Sequence, residues 1–300
     1  MSSADIEEAV ESTPIAEKTI VADDDDANAK PPLNHKNWLN LVAYILNVTL
    51  VYGIGNAGWL GTPDNGELSV KYQTLVTPSS SAFIIWAVIF LFQAAFAVCQ
   101  LLPRFRALPM VQGGVSYWYN SVTATQIGWT LAFAYEVIPL SLVFMLLIWV
   151  SLIGLLYWQY YTESDGSLWE FWILRFPFAI HAGWITAASA LNVNVQVASM
   201  DKSADIQLAV AIVSLAVLHA ISVWVLYNIS RPNWTIAGVL SWAFGWIYSE
   251  LGNPNVKITD TFSQATIDGV RYAAFAVSMI IVIQVAVRLG LLLPLRGIHT

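Results

Sequence analysis

The sequence predicts an all-α fold, a polytopic membrane bundle of eight helices, and three observations carry that reading. The chain is 57% hydrophobic and only 11% charged, against about 25% charged residues in an ordinary soluble domain. Uncharged runs cover 37–63, 72–103, 107–135, 137–162, 176–200, 206–230 and 232–249, each near or above the roughly 20 apolar residues that a bilayer crossing needs. The runs are also continuous. That argues against an outer-membrane barrel, whose strands of about 10 residues alternate sidedness.

The elements follow in order. Residues 1–36 differ in kind: Glu7, Glu8, Glu11, Glu17 and the run Asp23 to Asp26 precede Pro31 and Pro32, a composition expected to be a disordered acidic tail. It has neither the basic start and apolar core of a signal peptide nor the arginine-rich character of a transit peptide, so insertion is expected to rely on the first helix. The net charge of −7 mostly reports this tail, and no nucleic-acid partner is implied.

The first span ends in "GIGNAG" at 53–58. No strand precedes it, so it is no dinucleotide site, and its small residues are expected to permit close helix packing. The second span is approached through Pro78 and three serines. The third and fourth form a hairpin through "AYEVIP", which places Glu136 at the water interface. The fifth follows Arg175 and Pro177, with Arg175 expected to anchor it at the headgroups. Two further runs and a last span of about 266–290 complete the count, because Arg271 and Arg288 near its ends can snorkel.

Orientation is read from lysine and arginine near the helix ends. One side carries Lys30, Lys36, Arg104, Arg106, Arg175, Arg231, Arg288 and Arg296, the other Lys71, Lys202, Lys257 and Arg271. Both termini are therefore expected on the cytoplasmic side of a membrane the sequence does not identify. Cys99 is the single cysteine, which excludes an intrachain disulfide and reads as a small buried hydrophobe.

Helical spacing then sorts the polar residues inside the spans. Residues three or four apart share a face, which aligns Phe83, Trp86, Phe90, Gln93, Ala97 and Gln100 in the second span. The first span aligns Asn40, Tyr44, Asn47, Val51 and Ile54; the third, Gln126, Trp129 and Phe133; the fifth, Pro177, His181, Trp184, Ala188 and Asn192. Amides facing hydrocarbon would be penalised, so these stripes are expected to turn inward. One reading makes the amides interhelical hydrogen-bond glue, at on the order of 0.6 kcal/mol per bond. The other has the stripes converge on a mostly apolar small-molecule pocket with a few orienting polar groups, where aromatic faces would stack on a flat conjugated ligand. Trp38, Trp59, Trp118, Trp158, Trp169, Trp172 and Trp234 lie near predicted helix ends and read as interfacial anchors. Trp86, Trp129, Trp149 and Trp184 lie deeper.

The Pro-Ser approach to a Trp-containing second span, the hairpin "IGWTLAFAYEVIPLSLVFMLL" and the fifth span "FPFAIHAGWITAASALN" resemble, in this order, the tryptophan-rich sensory protein family, the translocator proteins called TspO/MBR. The resemblance covers residues 38–197. It implies a five-helix TspO-like core with an internal pocket for hydrophobic planar molecules such as porphyrins, and in some members sterols or benzodiazepine-like drugs. It thereby divides the chain into the tail at 1–36, a five-helix bundle at 37–200 and three additional C-terminal transmembrane helices at 201–300, as in longer variants. Carried over by position, the pocket candidates are Trp86, Gln126, Trp129, Trp184, Ala188 and Asn192, to which the stripes add Gln93 and His181. The chain departs from the family before its second helix, where "LVTPSSSAF" has Pro78 alone in place of a tryptophan and paired prolines. In the family that loop is the lid over the pocket, so the departure bears on the lid and on which ligand is taken.

Other chemistry finds no support. No His, Asp or Glu stands three or four residues from His181 or His219, so local spacing builds no metal site. Phosphate-binding loops and nucleophile motifs are absent; no enzyme, cofactor or metal is expected. The expected function is binding or sensing of a hydrophobic planar small molecule, porphyrin-like or sterol-like. Transport of a small hydrophobic or amphipathic solute is the alternative, although neither internal repeats nor acid pairs support it. The expected partners are membrane lipids and that ligand, with a homodimer left open.

Overall fold

The structure is a computed structural model that describes residues 31–296, with side chains to residue 290. The acidic stretch expected to be disordered lies, up to residue 30, outside the described residues. The described residues from Leu33 onward form one unit.

Helix α1 (His35–Gly55) begins where the Asn34 side chain accepts hydrogen bonds from the backbone of Lys36 and Asn37, and the Asn34 N–H donates in turn to Asn37 Oδ1. This reciprocal box satisfies amides that the first turn would otherwise leave open. A short helix α2 (Asn65–Lys71) follows in the next connection, capped in the same way by Asp64 and Glu67. Pro78 and the serines then delay the second span. A 3-10 turn at Ser80–Ile84 leads into α3 (Ile85–Cys99), so residues 72–79 of the uncharged run are loop.

A π-helical turn at Met110–Val115 precedes α4 (Trp118–Ala134), and α5 (Ile138–Tyr161) starts with proline in its first turn, where the missing N–H costs nothing. A second π turn at Glu170–Arg175 runs into α6 (Phe176–Ser199), again with proline at its start. Helix α7 (Ala204–Tyr227), α8 (Trp234–Glu250), the short α9 (Val256–Thr261) and α10 (Gln264–Arg296) complete the chain.

All eight expected spans are helical among the described residues, with α2 and α9 lying in the connections. By length and hydropathy, α1, the 80–99 segment, α5, α7 and α10 are long and apolar enough to cross a membrane. Of the remaining three long helices, α4 and α8 have 17 residues each, and α6, with 24, is shielded by its neighbours. Helix α6 is buried at every residue from Pro177 to Thr186, and α8 buries Ile236, Leu240, Phe244 and Ile247 on one face. Helices shielded by neighbours need less apolar surface than those facing lipid.

Helix α6 occupies the middle. It packs on α3 and α5 on one side and on α7 and α8 on the other; α4 joins α1 to α5, and α10 covers α8 and α7. Glycines set the closest crossings. A Cβ on Gly128 would lie 2.5 Å from the Phe144 ring and one on Gly183 would lie 2.9 Å from Val239 Cβ, so α4 meets α5 and α6 meets α8 at small-residue positions. Hydroxyls and amides pin the rest: Trp149 Nε1 donates to Thr186 Oγ1 at 3.1 Å, Asn194 Nδ2 to Ser214 Oγ at 2.8 Å, and Ser241 and Ser278 bond each other.

The glycines of "GIGNAG" work differently from the expectation of close helix packing. A Cβ on Gly53 would collide with the Trp59 ring and one on Gly55 with the Asn65 amide. These residues make room for the chain folding back on the end of α1, and Trp59 N bonds Gly53 O at 2.9 Å. Arg175, expected to anchor the fifth span at the headgroups, also has protein partners. Its Nε donates to Glu170 Oε1 at 2.5 Å and Nη1 to Gln159 O at 3.1 Å, because the π turn places the acid five residues before the guanidinium on the inner side.

Candidate functional site

Side chains of the four stripes are linked pairwise across α1, α3, α4 and α6. At the arginine-bearing end, Asn37 Nδ2 donates to Gln100 Oε1 at 2.8 Å and Gln100 Nε2 returns a bond to Asn37 O at 2.8 Å, which joins α1 to the end of α3. One layer deeper Phe96, Tyr119 and Phe178 pack edge to face with centroids 4.9–5.8 Å apart, an arrangement that aromatic quadrupoles favour.

Next comes a polar relay across three helices. Tyr119 O–H donates to Gln93 Oε1 at 3.2 Å, and Gln93 Nε2 lies 3.0 Å from His181 Nδ1. Since the Gln93 oxygen is taken by the tyrosine, its amide N–H donates to Nδ1, and the imidazole proton sits on Nε2. That Nε2 is buried and has no partner. Further along, Asn47 Nδ2 reaches Gln126 Oε1 at 3.4 Å, and Trp129 Nε1 donates to Asn192 Oδ1 at 3.1 Å while Asn192 Nδ2 bonds Ala188 O.

Gln93, Gln126, His181, Trp184 and Asn192 are thus buried, whereas Trp86, Trp129 and Ala188 are half-buried. Two groups result. Trp86 lies edge-on to His181 and stacks on Phe90, with Trp184 against Phe83, so these gather with Gln93 on the α3–α6 side. Trp129, stacked on Phe133, gathers with Ala188 and Asn192 between α4 and α6, and Gln126 turns to α1. Trp149, the other deep tryptophan, ties α5 to α6 through Thr186.

The relay makes Gln93 the most costly of these residues to lose. Gln93→Leu would strand Nδ1 of His181 and the Tyr119 hydroxyl, and each buried orphan costs about 1–3 kcal/mol. With two orphans, unfolding in detergent is expected to show destabilisation of about 2–6 kcal/mol; a change below about 0.5 kcal/mol would refute the relay.

The connection between α1 and α3 closes the far end. Leu68 of α2 is fully buried against Phe133, Ile138 and Val195, with Trp129 and Leu191 beside them. The lid is held twice. Lys71 pairs with Glu136, whose backbone has a φ of 57°, and Tyr72 O–H donates to Glu136 Oε2 at 2.7 Å. On the other side, Gln73 bonds Glu250 at the end of α8 and accepts from Asn255 N at 2.9 Å, and Asn255 Nδ2 donates to Val70 O at 3.0 Å. Ser79 N reaches Trp246 O at 3.2 Å. The C-terminal helices therefore clamp the lid.

Hydrogen bonds from Lys71 and then Tyr72 hold the Glu136 carboxyl below its ordinary value, and burial together with the Glu136 contact pushes the Tyr72 phenol up to about 12. The first contributes above the usual carboxylate pKa and is lost as pH falls through the depressed value. The second is present below the ordinary phenol range and lost as pH rises through about 12. The latch is expected to hold through neutral pH and to loosen on strong acidification. A spin label at position 70 should gain mobility below the carboxylate range in the native sequence, and at all pH values in Glu136→Gln; an acid-independent spectrum in both would count against it.

Residues that spacing did not reach complete this account: Leu68, Tyr72, Gln73 and Tyr119. Only α2 left a signal, in the "DNGE" box at 64–67. Among the described residues no group of three or more His, Cys, Asp or Glu could hold a metal ion. A family model described as TSPO-like protein matches residues 37–287, extending through the C-terminal helices. No curated protein and no solved structure matches the chain.

Proposed function

Because the chain belongs to the TSPO-like protein family, we propose that this integral, multi-pass membrane protein binds or senses a flat, hydrophobic small molecule, porphyrin-like or sterol-like, inside the α1–α6 bundle. The observation that carries this reading is a set of orphaned polar atoms on the aromatic-lined faces. His181 Nε2, Gln126 Nε2 and Asn47 Oδ1 are buried without partners, although buried polar groups are almost always satisfied. A ligand edge bearing carboxylate or carbonyl oxygens would accept from His181 Nε2 on the α3–α6 side or from Gln126 Nε2 on the α1–α4 side. Trp86, Trp129 and Trp184 would supply stacking surface.

The tryptophans fill much of this space themselves, so a ligand enters by displacing them under the lid held by Leu68. The arginine-bearing end faces the cytoplasm in this reading, by the positive-inside rule, and the protein acts as a binder rather than an enzyme. Tryptophan-fluorescence quenching by titrated protoporphyrin, with the full chain in nanodiscs, tests it. Saturable quenching supports a site. Shallow, non-saturating quenching would mean partitioning into the bilayer and would reject it, and tetrapyrrole uptake into protein-containing vesicles would favour transport.

A further inference from the structure

At the opposite end from the lid, the end of α5, the π turn before α6 and the α7–α8 connection border a half-open groove of about 920 Å³. None of the eight candidate residues above touches it. Its floor is apolar, from Ile153, Leu156 and Val225, and Tyr157 and Trp224 flank it with largely exposed rings. Its rim carries Arg175 and Arg231.

The charges at the rim are unequally engaged. Both carboxylate oxygens of Glu170 are taken: Oε1 by Ser164 Oγ at 2.6 Å and Arg175 Nε at 2.5 Å, Oε2 by Asp165 N at 2.9 Å. Arg175 still has a buried Nη2 without a partner. Arg231 forms no ion pair among the described residues. Among the lining residues two guanidiniums thus face one carboxylate, Glu170, with both oxygens committed, while Asp165 beside the rim accepts from Ser167 N at 2.7 Å. Guanidinium recognises phosphate through paired, charge-assisted hydrogen bonds, and basic pockets between transmembrane helices suit anionic lipid headgroups.

We propose that this groove is a binding site for an anionic phospholipid, with the phosphodiester at Arg231 and the free Nη2 of Arg175 and an acyl chain along Ile153, Leu156 and Trp224. A free phosphate would use the rim alone and leave the apolar floor uncovered. The lipid would also bridge the two sets of helices, because one wall comes from α5 and α6 and the other from α7 and α8.

Delipidated full-length protein in detergent, examined by native mass spectrometry with dioleoylphosphatidylglycerol, dioleoylphosphatidylcholine and inorganic phosphate, tests the site. One phosphatidylglycerol is expected to be retained in preference to phosphatidylcholine. Arg231→Gln, which leaves the Glu170–Arg175 pair intact, should weaken retention about tenfold, the loss of one charge-assisted contact. Arg104→Gln removes a charge from the same end but outside the groove and should leave retention unchanged. Equal retention of the two lipids, equal loss in both variants, or displacement of phosphatidylglycerol by equimolar inorganic phosphate would each overturn the proposal.

Discussion

Trp129→Ala is expected to weaken protoporphyrin binding tenfold or more. The indole stacks on Phe133 with centroids 5.1 Å apart and donates to Asn192 Oδ1 at 3.1 Å, so one face and the N–H edge are held and the ring is fixed between α4 and α6. An aromatic contact adds about 0.5–1.5 kcal/mol beyond area burial, and the apolar area lost with the ring adds more, at about 25 cal/mol per Å². A tenfold change requires about 1.4 kcal/mol.

The alanine variant also strands Asn192 and opens a cavity, so its stability will fall. Trp129→Phe separates the two effects. It retains a stacking face while losing the N–H, and most of the affinity should survive. Trp158→Ala, at an exposed position on α5, should leave binding unchanged. Quenching curves that coincide for Trp129→Ala and the native protein would remove Trp129 from the site.

Gly183→Leu is expected to have the largest effect on the fold. Its Cβ would lie 2.9 Å from Val239 Cβ and 3.2 Å from Ile236 Cα, so backbone rather than a flexible side-chain tip stands in the way. Replacing a helical glycine gains up to about 1 kcal/mol of propensity, whereas overpacking costs about 1–3 kcal/mol and rises with each added methylene. The clash should win. Helix α8 must move away from α6, which would also pull Glu250 from Gln73 and free the lid. Gly238 is the internal comparison: nothing lies within 4 Å of a Cβ placed there, so Gly238→Ala should be neutral or slightly stabilising. Thermal unfolding in detergent distinguishes them, and a Gly183→Leu protein as stable as Gly238→Ala would refute the close crossing.

The sequence by itself determined the helices and their inward faces. Charge spacing and apolar runs are local properties, and the bilayer permits few answers to them: each long uncharged run becomes a helix because no other open structure satisfies its backbone in lipid. The stripes followed from the same locality. Gln93, Gln126 and Asn192 are read as inward from a period of 3.6 residues, and each is buried. The order of motifs carried the family as far as residue 197, and the family match continues to residue 287.

Only the tertiary structure decided which stripe meets which. Gln93 finds His181 across 88 residues of chain and Gln73 finds Glu250 across 177, and no period along one helix specifies a neighbour's depth or rotation. The same holds for Gly53, whose missing side chain matters because the Trp59 ring folds back onto it, and for Arg175, whose partner is set by a π turn rather than by its distance from the headgroups. Pairing between helices depends on side-chain shape at the crossings, on residues such as Gly128 and Gly183, and apolar surfaces discriminate among crossings only once they are packed.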